Sequence, residues 1–340
     1  MKVGILNGGG DCAGLNAVTR AVVRRSEQLG FEVTGIKHGW AGLLDIATVP
    51  LGWSNVSDII KVGGTILHTT RTNPFSRKDG PETVLMNVRK LGLDALIAVG
   101  GEDTLSVAAK LAQMGLKVVG VPKTIDNDIV GTDFTFGFDS AVNVTVDAID
   151  RIQTTGESHD RIMIVEVMGR HAGWIAAYSG VASGANLILV PEQPFDLEEV
   201  SAFLKKRHES GATASVVVVG EGCGIKGSPP GDPTKVDEFG HVRLGGIGDL
   251  LAKEIERRTG IETRAVVLGH VVRGGAPSAY DRVLATRLGG AAVEAVKNRE
   301  FGVMVCLRGN AMCKIPLTDI LGKMKNLDEE TLSLVKEFSV

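Results

Sequence analysis

The sequence has 340 residues, 44% of them apolar and 23% charged, and a net charge of −3. That length admits two domains or one large α/β domain, and the near-neutral balance gives no electrostatic reason to expect nucleic acid or an anionic membrane as partner. Four scattered cysteines (Cys12, Cys223, Cys306, Cys313) show no C-x-x-C pair, no run approaches the ~18 apolar residues of a membrane span, and no signal peptide is visible. Free thiols in a cytoplasmic protein are expected. The 44 glycines exceed the usual ~7% and gather at the ends of apolar runs, as in "NGGGD", "VGGED" and "VVRGG", where backbone can approach a ligand.

Short Val/Ile/Leu runs alternate with helical periodicity along the chain. "VGILNG" (3–8) reads as a first strand, followed by a helix from Asn16 to about Gln28. "VTGIK" (33–37), "ALIAVGG" (95–101) and "VVGVPK" (118–123) read as further strands, with "TLSVAAKLAQMG" as the helix between the last two. Continuous apolar runs predict strands buried on both faces, hence a parallel sheet with right-handed crossovers. "GTDFTFGFDSA" (131–141) breaks the rhythm and leads into a helix over about 140–156. A second strand set follows at 161–169, 186–192, 215–222 and 265–270, and "HVVRGG" (270–275) returns the chain to the first domain. The fold class expected is α/β, with two Rossmann-like three-layer domains and mainly parallel sheets. The domains run over 1–137 plus 272–322 and over 138–271 plus 323–340. The Pro/Gly-rich stretch 224–241 reads as a surface loop.

Several strand ends carry chemistry. "NGGGDCAGLNAVTRAVVRR" (7–25) is a glycine turn opening a helix, an arrangement that suits an anion, although it is neither a P-loop nor a dinucleotide fingerprint. "PKTIDND" (122–128) offers the Thr124 hydroxyl and the Asp126 and Asp128 carboxylates within five residues. A carboxylate there can act as general base toward a substrate hydroxyl. Spacing alone leaves equal room for a turn in which Asp and Asn satisfy local backbone. "VEVMGRHAGW" (165–174) ends a strand in Met168, Gly169 and Arg170, and "EGCG" (221–224) places Glu221 where it can accept sugar hydroxyls. Arg264, His270 and Arg273 flank one strand and suggest a phosphorylated substrate, though a lone His beside a glycine is more often simply packed. "GGEDT" (100–104) sets two consecutive acids, Glu102 and Asp103, after a strand.

In order, "GGGDCAGLNAVTR", "GGT" (63–65), "GGEDT", "PKTIDND", "FGFDSA", "VEVMGRHAGW", "VPE" (190–192) and "LGHVVRGG" resemble the 6-phosphofructokinase family from residue 1 to about 315. "PEQPFDLEEV" and "DEFGH" resemble its actinobacterial type. The resemblance implies the phosphofructokinase fold, with the first domain binding the phosphate donor and the second the sugar phosphate. It implies that Asp126 takes the proton from the 1-hydroxyl of fructose 6-phosphate, while Thr124 and Asp128 help hold the transferring phosphoryl group and its metal. Glu102 stands where the family usually has an Asp bound to Mg²⁺. Met168, Gly169, Arg170, Glu221, His270 and Arg273 would bind the sugar phosphate. Arg161 and Arg264 match arginines that reach the 6-phosphate of a neighbouring subunit, so a homodimer or homotetramer is implied. Gly10, Gly101 and Arg71 match donor contacts.

The donor follows from one departure. In ATP-using members the acid of this loop is followed by Gly, whereas this chain has Asp103. A carboxylate about 4 Å from an α-phosphate, at an effective dielectric near 20, opposes it by about 4 kcal/mol. Pyrophosphate has no third phosphate to place there, and Lys123 could pair with Asp103 and reach a pyrophosphate oxygen. The resemblance, with Asp103, therefore implies a reversible pyrophosphate–fructose 6-phosphate 1-phosphotransferase. An ATP-dependent kinase, or a non-catalytic sugar-phosphate sensor on the same fold, are the alternatives; retention of Asp126, Thr124 and Glu102 argues against the sensor. Arg20 and Arg24 match effector-binding arginines, but Trp53, Gln153 and Asn186 do not match the other effector positions, so weak or absent allosteric control is expected.

Overall fold

The computed structural model describes residues 1–227, 232–236 and 242–339, with backbone only at 232–236 and 242–243. Its strands, in chain order, are β1 (Lys2–Asn7), β2 (Glu32–Ile36), β3 (Thr48–Leu51), β4 (Ala95–Gly100), β5 (Val118–Thr124), β6 (Phe136–Gly137) and β7 (Ile162–Val167). They continue as β8 (Leu187–Leu189), β9 (Ser215–Gly220), β10 (Asp232–Val236), β11 (Val242–Arg243), β12 (Thr263–Val267), β13 (Val303–Arg308) and β14 (Ala311–Pro316). The chain divides into two compact units, Met1–Ser140 with Arg273–Met324, and Ala141–Val272 with Lys325–Val340.

The first unit is built on a sheet in the order β14-β13-β5-β4-β1-β2-β3, with β6 added against β5. The inner pairs β2–β1, β1–β4, β4–β5 and β5–β13 are parallel. β4 and all but the last residue of β5 are buried, as their unbroken apolar runs require. The two antiparallel margins, β3 against β2 and β14 against β13, were not expected from the sequence. Pro50 in β3 has no N–H to give a further strand, which suits an edge.

The second unit holds a parallel sheet in the order β12-β7-β9-β8. Glu166 of β7 is buried, and its carboxylate accepts the backbone N–H groups of Gly248 at 2.8 Å and Gly246 at 3.3 Å, capping the helix Ile247–Thr259. Glu192 of the "VPE" stretch plays the same part for the helix Trp174–Ala182. It accepts from Gly173 N–H at 3.0 Å and, through Oε1, from Leu327 N–H at 3.0 Å. The stretch expected as a loop at 224–241 contains β10, which pairs antiparallel with β11. Residues 228–231 and 237–241, with the "DEFGH" run, lie outside the described residues.

Candidate active site

In the first unit, ligand-type residues collect at the carboxyl ends of β1, β4 and β5, the edge where open α/β sheets bind ligands. After β1 the chain turns through Gly8, Gly9 and Gly10 before the helix Leu15–Gln28 begins. Gly8 N–H donates to Val99 O at 2.9 Å, Gly9 N–H to Thr70 O at 3.0 Å, and the Thr69 hydroxyl to Gly9 O at 2.6 Å. A Cβ on either Gly8 or Gly100 would overlap the Thr104 side chain, so the glycine loops after β1 and β4 close on one buried threonine.

Lys123 is 3% exposed and donates from Nζ to Gly10 O. Burial pushes its pKa down, with the Arg273 charge adding to that and Asp11 and Asp126 opposing it. The sequence suggested a pairing with Asp103; the ammonium spends one of its three donors on the Gly10 carbonyl. Arg273 lies in the first unit, as the expected domain bounds had it, and donates to Asp11 O at 3.1 Å. A Cβ on Gly10 would stand 2.8 Å from its Nη1. The anion-type loop is therefore flanked by an ammonium and a guanidinium. Arg71, next to the Thr69–Thr70 segment that braces Gly9, is exposed.

Gly101 has extended backbone and N-caps the helix Glu102–Gln113. The helix begins two residues earlier than its periodicity suggested, because Glu102 and Asp103 form its first turn, where the helix dipole favours negative charge. The hydroxyl of Ser106, one turn on, donates to Glu102 Oε1 at 2.5 Å.

After β5, Asp126 N–H donates to Thr124 Oγ1 at 3.0 Å. The buried Asn127 takes φ 50° and accepts Thr135 N–H at 3.1 Å. Both readings of "TIDND" hold locally: Thr124 and Asn127 accept backbone N–H groups of the turn, and the same turn brings the Asp126 and Asp128 carboxylates close together. The half-buried Asp128 carboxyl is raised above its ordinary range by burial and then by the Asp126 charge, with Glu102 adding to it and a Thr124 hydrogen bond opposing. Such mutual repulsion is what a cation relieves. Among the described residues no three His, Cys, Asp or Glu side chains converge as an all-protein metal cage. Carboxylates without a full cage fit Mg²⁺, which is usually held by one or two carboxylates and completed by substrate phosphates.

The second unit divides its expected residues between two ends of one sheet. Met168, Gly169 and Arg170 follow β7, Glu221 follows β9, and the exposed His270 follows β12. Gly169 has φ 134°, and a Cβ on Gly222 would overlap Arg170 O, so these two turns need glycine to cross so closely. Arg161 precedes β7, and Arg264 is the second residue of the edge strand β12. These two lie at the amino ends of strands that rise ~3.3 Å per residue, on the order of 15 Å from the carboxyl ends. Both meet Glu262: Arg161 Nη2 at 2.8 Å and Arg264 Nη2 at 2.5 Å. The Arg161 hydrogen bond, and then the Arg161, Arg264 and His159 charges, hold the Glu262 carboxyl below its ordinary range. Nothing in the sequence singled out Glu262, whose partner Arg161 is about a hundred residues away.

The phosphofructokinase family model matches residues 2–296. The chain belongs to the phosphofructokinase family. It is 54% identical to a pyrophosphate–fructose 6-phosphate 1-phosphotransferase of Amycolatopsis methanolica, covering 97% of each chain. It is 50% identical to ATP-dependent 6-phosphofructokinase 3 of Streptomyces coelicolor, again covering 97% of each. A solved pyrophosphate-dependent phosphofructokinase from Marinobacter aquaeolei superposes with a TM-score of 0.84 at 23% identity, covering 100% of this chain and 92% of that one, which bears on the fold alone. The α/β fold expected from the sequence is the family's. Identity over the whole chain differs little between relatives named for the two donors, so individual residues must discriminate. Among the described residues no helix is long and apolar enough to cross a membrane.

Proposed function

We propose that this phosphofructokinase transfers a phosphoryl group from pyrophosphate to the 1-hydroxyl of fructose 6-phosphate, reversibly, forming fructose 1,6-bisphosphate. The observation that carries the donor assignment is Asp103. It is the second residue of a helix whose next side chain, Thr104, packs against the glycines of both donor loops. A carboxylate anchored there disfavours a third phosphate. The name of the Amycolatopsis relative supports the same donor.

In this reading the first unit binds the donor and the second the sugar phosphate. Gly10, Gly101 and Arg71 contact pyrophosphate, and Lys123 offsets its charge beside the Gly10 loop. Asp126 accepts the proton of the attacking 1-hydroxyl, with Thr124 setting its backbone. Glu102 would hold Mg²⁺ with the donor phosphates, and Thr124 and Asp128 would help hold the transferring phosphoryl group and its metal. Bound there, Mg²⁺ would neutralise charge on the phosphoryl oxygens. Met168, Gly169, Arg170, Glu221, His270 and Arg273 hold the sugar phosphate. Arg161 and Arg264 stand at the opposite strand ends, so they serve the 6-phosphate of a neighbouring copy in a homo-oligomer.

The deciding experiment assays fructose 1,6-bisphosphate formation with pyrophosphate and, separately, with ATP. Turnover with pyrophosphate is expected; turnover with ATP alone would sink the assignment. Asp126→Ser should abolish turnover while fructose 6-phosphate still binds by calorimetry, and unchanged turnover would remove Asp126 as base.

A further inference from the structure

Glu262 lies between Ile261 and the first residue of β12, on the amino-end side of the second unit's sheet. One of its oxygens, Oε1, is the acceptor for both Arg161 and Arg264. Arg264 is held from a second side, since its Nη1 donates to Thr263 O at 3.0 Å and lies 3.6 Å from Glu256 Oε2. The three charged side chains are only partly exposed, at 25% for Arg161, 39% for Glu262 and 51% for Arg264, so the cluster is ordered yet reachable.

Two guanidiniums this close repel each other unless an anion stands between them. Glu262 supplies that anion from within the chain; with Glu256 beside Arg264 the two arginines are balanced in charge, so what they offer a further anion is unused N–H donors. Each guanidinium has five N–H donors, and binding one carboxylate oxygen leaves most of them for a further acceptor. We propose that Glu262 is a positioning residue: it gathers Arg161 and Arg264 into one preformed receptor for a phosphate monoester, the sugar phosphate held by a second copy of this chain. This rests on the reading above that these arginines serve the sugar phosphate. The gain is preorganisation, because side chains already ordered lose less freedom on binding. An opposing expectation is equally definite: a carboxylate beside a phosphate repels it, and its removal would then tighten binding.

The test is steady-state kinetics of the full-length enzyme, with Glu262→Gln as the variant and Glu254→Gln, whose carboxylate pairs with Arg257 and Arg258, as the control for loss of a nearby charge. If Glu262 positions the arginines, Glu262→Gln raises KM for fructose 6-phosphate about tenfold. It should leave kcat and the KM for pyrophosphate within about twofold, and Glu254→Gln should change neither KM. A fall in KM, or no change, in Glu262→Gln overturns the proposal. Arg161→Ala and Arg264→Ala separate the two layers of the argument. If they raise KM while Glu262→Gln does not, the positioning role fails and the arginine reading stands. If neither raises KM, the arginine reading itself fails and takes the proposal with it.

Discussion

The hydroxyl of Ser106 reaches back one helical turn to Glu102 Oε1, at 2.5 Å. That contact fixes a side chain one methylene longer than the aspartate usual at this position of the family, so the extra reach need not cost orientation. Residues that orient a metal ligand typically matter by about 10–100-fold in metal affinity. Ser106→Ala should therefore raise the Mg²⁺ concentration for half-maximal activity by about tenfold, with saturating activity largely restored. A titration curve that overlays the wild type would show that Ser106 does not orient Glu102.

Asp103 and Thr104 occupy adjacent places with separable jobs, one electrostatic and one steric. Asp103→Gly should admit ATP and weaken use of pyrophosphate, since it removes the charge without disturbing the threonine that both glycine loops pack on. The check is kcat/KM for each donor in the variant. ATP turnover that stays at the wild-type level would defeat the charge argument.

Two cations lie over the Trp53 ring, with Arg20 Cζ 4.7 Å and Arg24 Cζ 5.0 Å from its centroid. Arg20 also donates to Ser57 O at 3.1 Å, and Glu27 accepts Trp53 N–H at 2.7 Å. The arginines that resemble effector contacts are thus engaged with an aromatic face, an interaction worth about 0.5–1 kcal/mol at exposed sites. ADP and phosphoenolpyruvate should leave the fructose 6-phosphate saturation curve where it is, and a clear shift with either would refute this.

Asp281 is fully buried, and its Oδ2 accepts from both the backbone N–H and the hydroxyl of Ser140, at 2.8 and 2.6 Å. Burial outweighs these bonds and pushes the carboxyl up to about 6 from 3.8. Between those values the folded chain keeps a proton that the unfolded chain releases, so this residue's contribution to stability grows as pH falls from about 6 to about 4. A shift of this size corresponds to at most about 3 kcal/mol. Asp281→Asn removes the titration. The variant's stability relative to wild type should be more favourable at pH 7 than at pH 4, as read by urea unfolding. A pH-independent difference would contradict the assignment.

How legible these features were in the sequence depended on the range of the interactions that set them. β4 and β5 were readable because burial on both faces leaves an unbroken apolar run. The start of the helix at Glu102 was misplaced because a charged residue after two glycines reads as loop, although acids suit a first helical turn. The β13–β14 hairpin could have been found, since Gly309 and Asn310 are a turn signal between two strand-like runs. The catalytic-type residues of "PKTIDND" were visible as a group. Which of them would serve the turn depended on Thr135, eight residues beyond Asn127. The Lys123 bond to the Gly10 carbonyl is not legible in the sequence, because it joins residues 113 positions apart through backbone geometry.

The two units interleave along the chain, and this bears on how the protein emerges from the ribosome. The first unit's sheet lacks β13 and β14 until residue 316 has been made, and the backbone bond from Leu327 to Glu192 comes later still. Domains generally fold as units during synthesis. Here the second unit's sheet is complete by residue 267, while the first unit, begun earlier, still waits for its last two strands, so its open sheet edge at β5 is where a chaperone would have the most to bind.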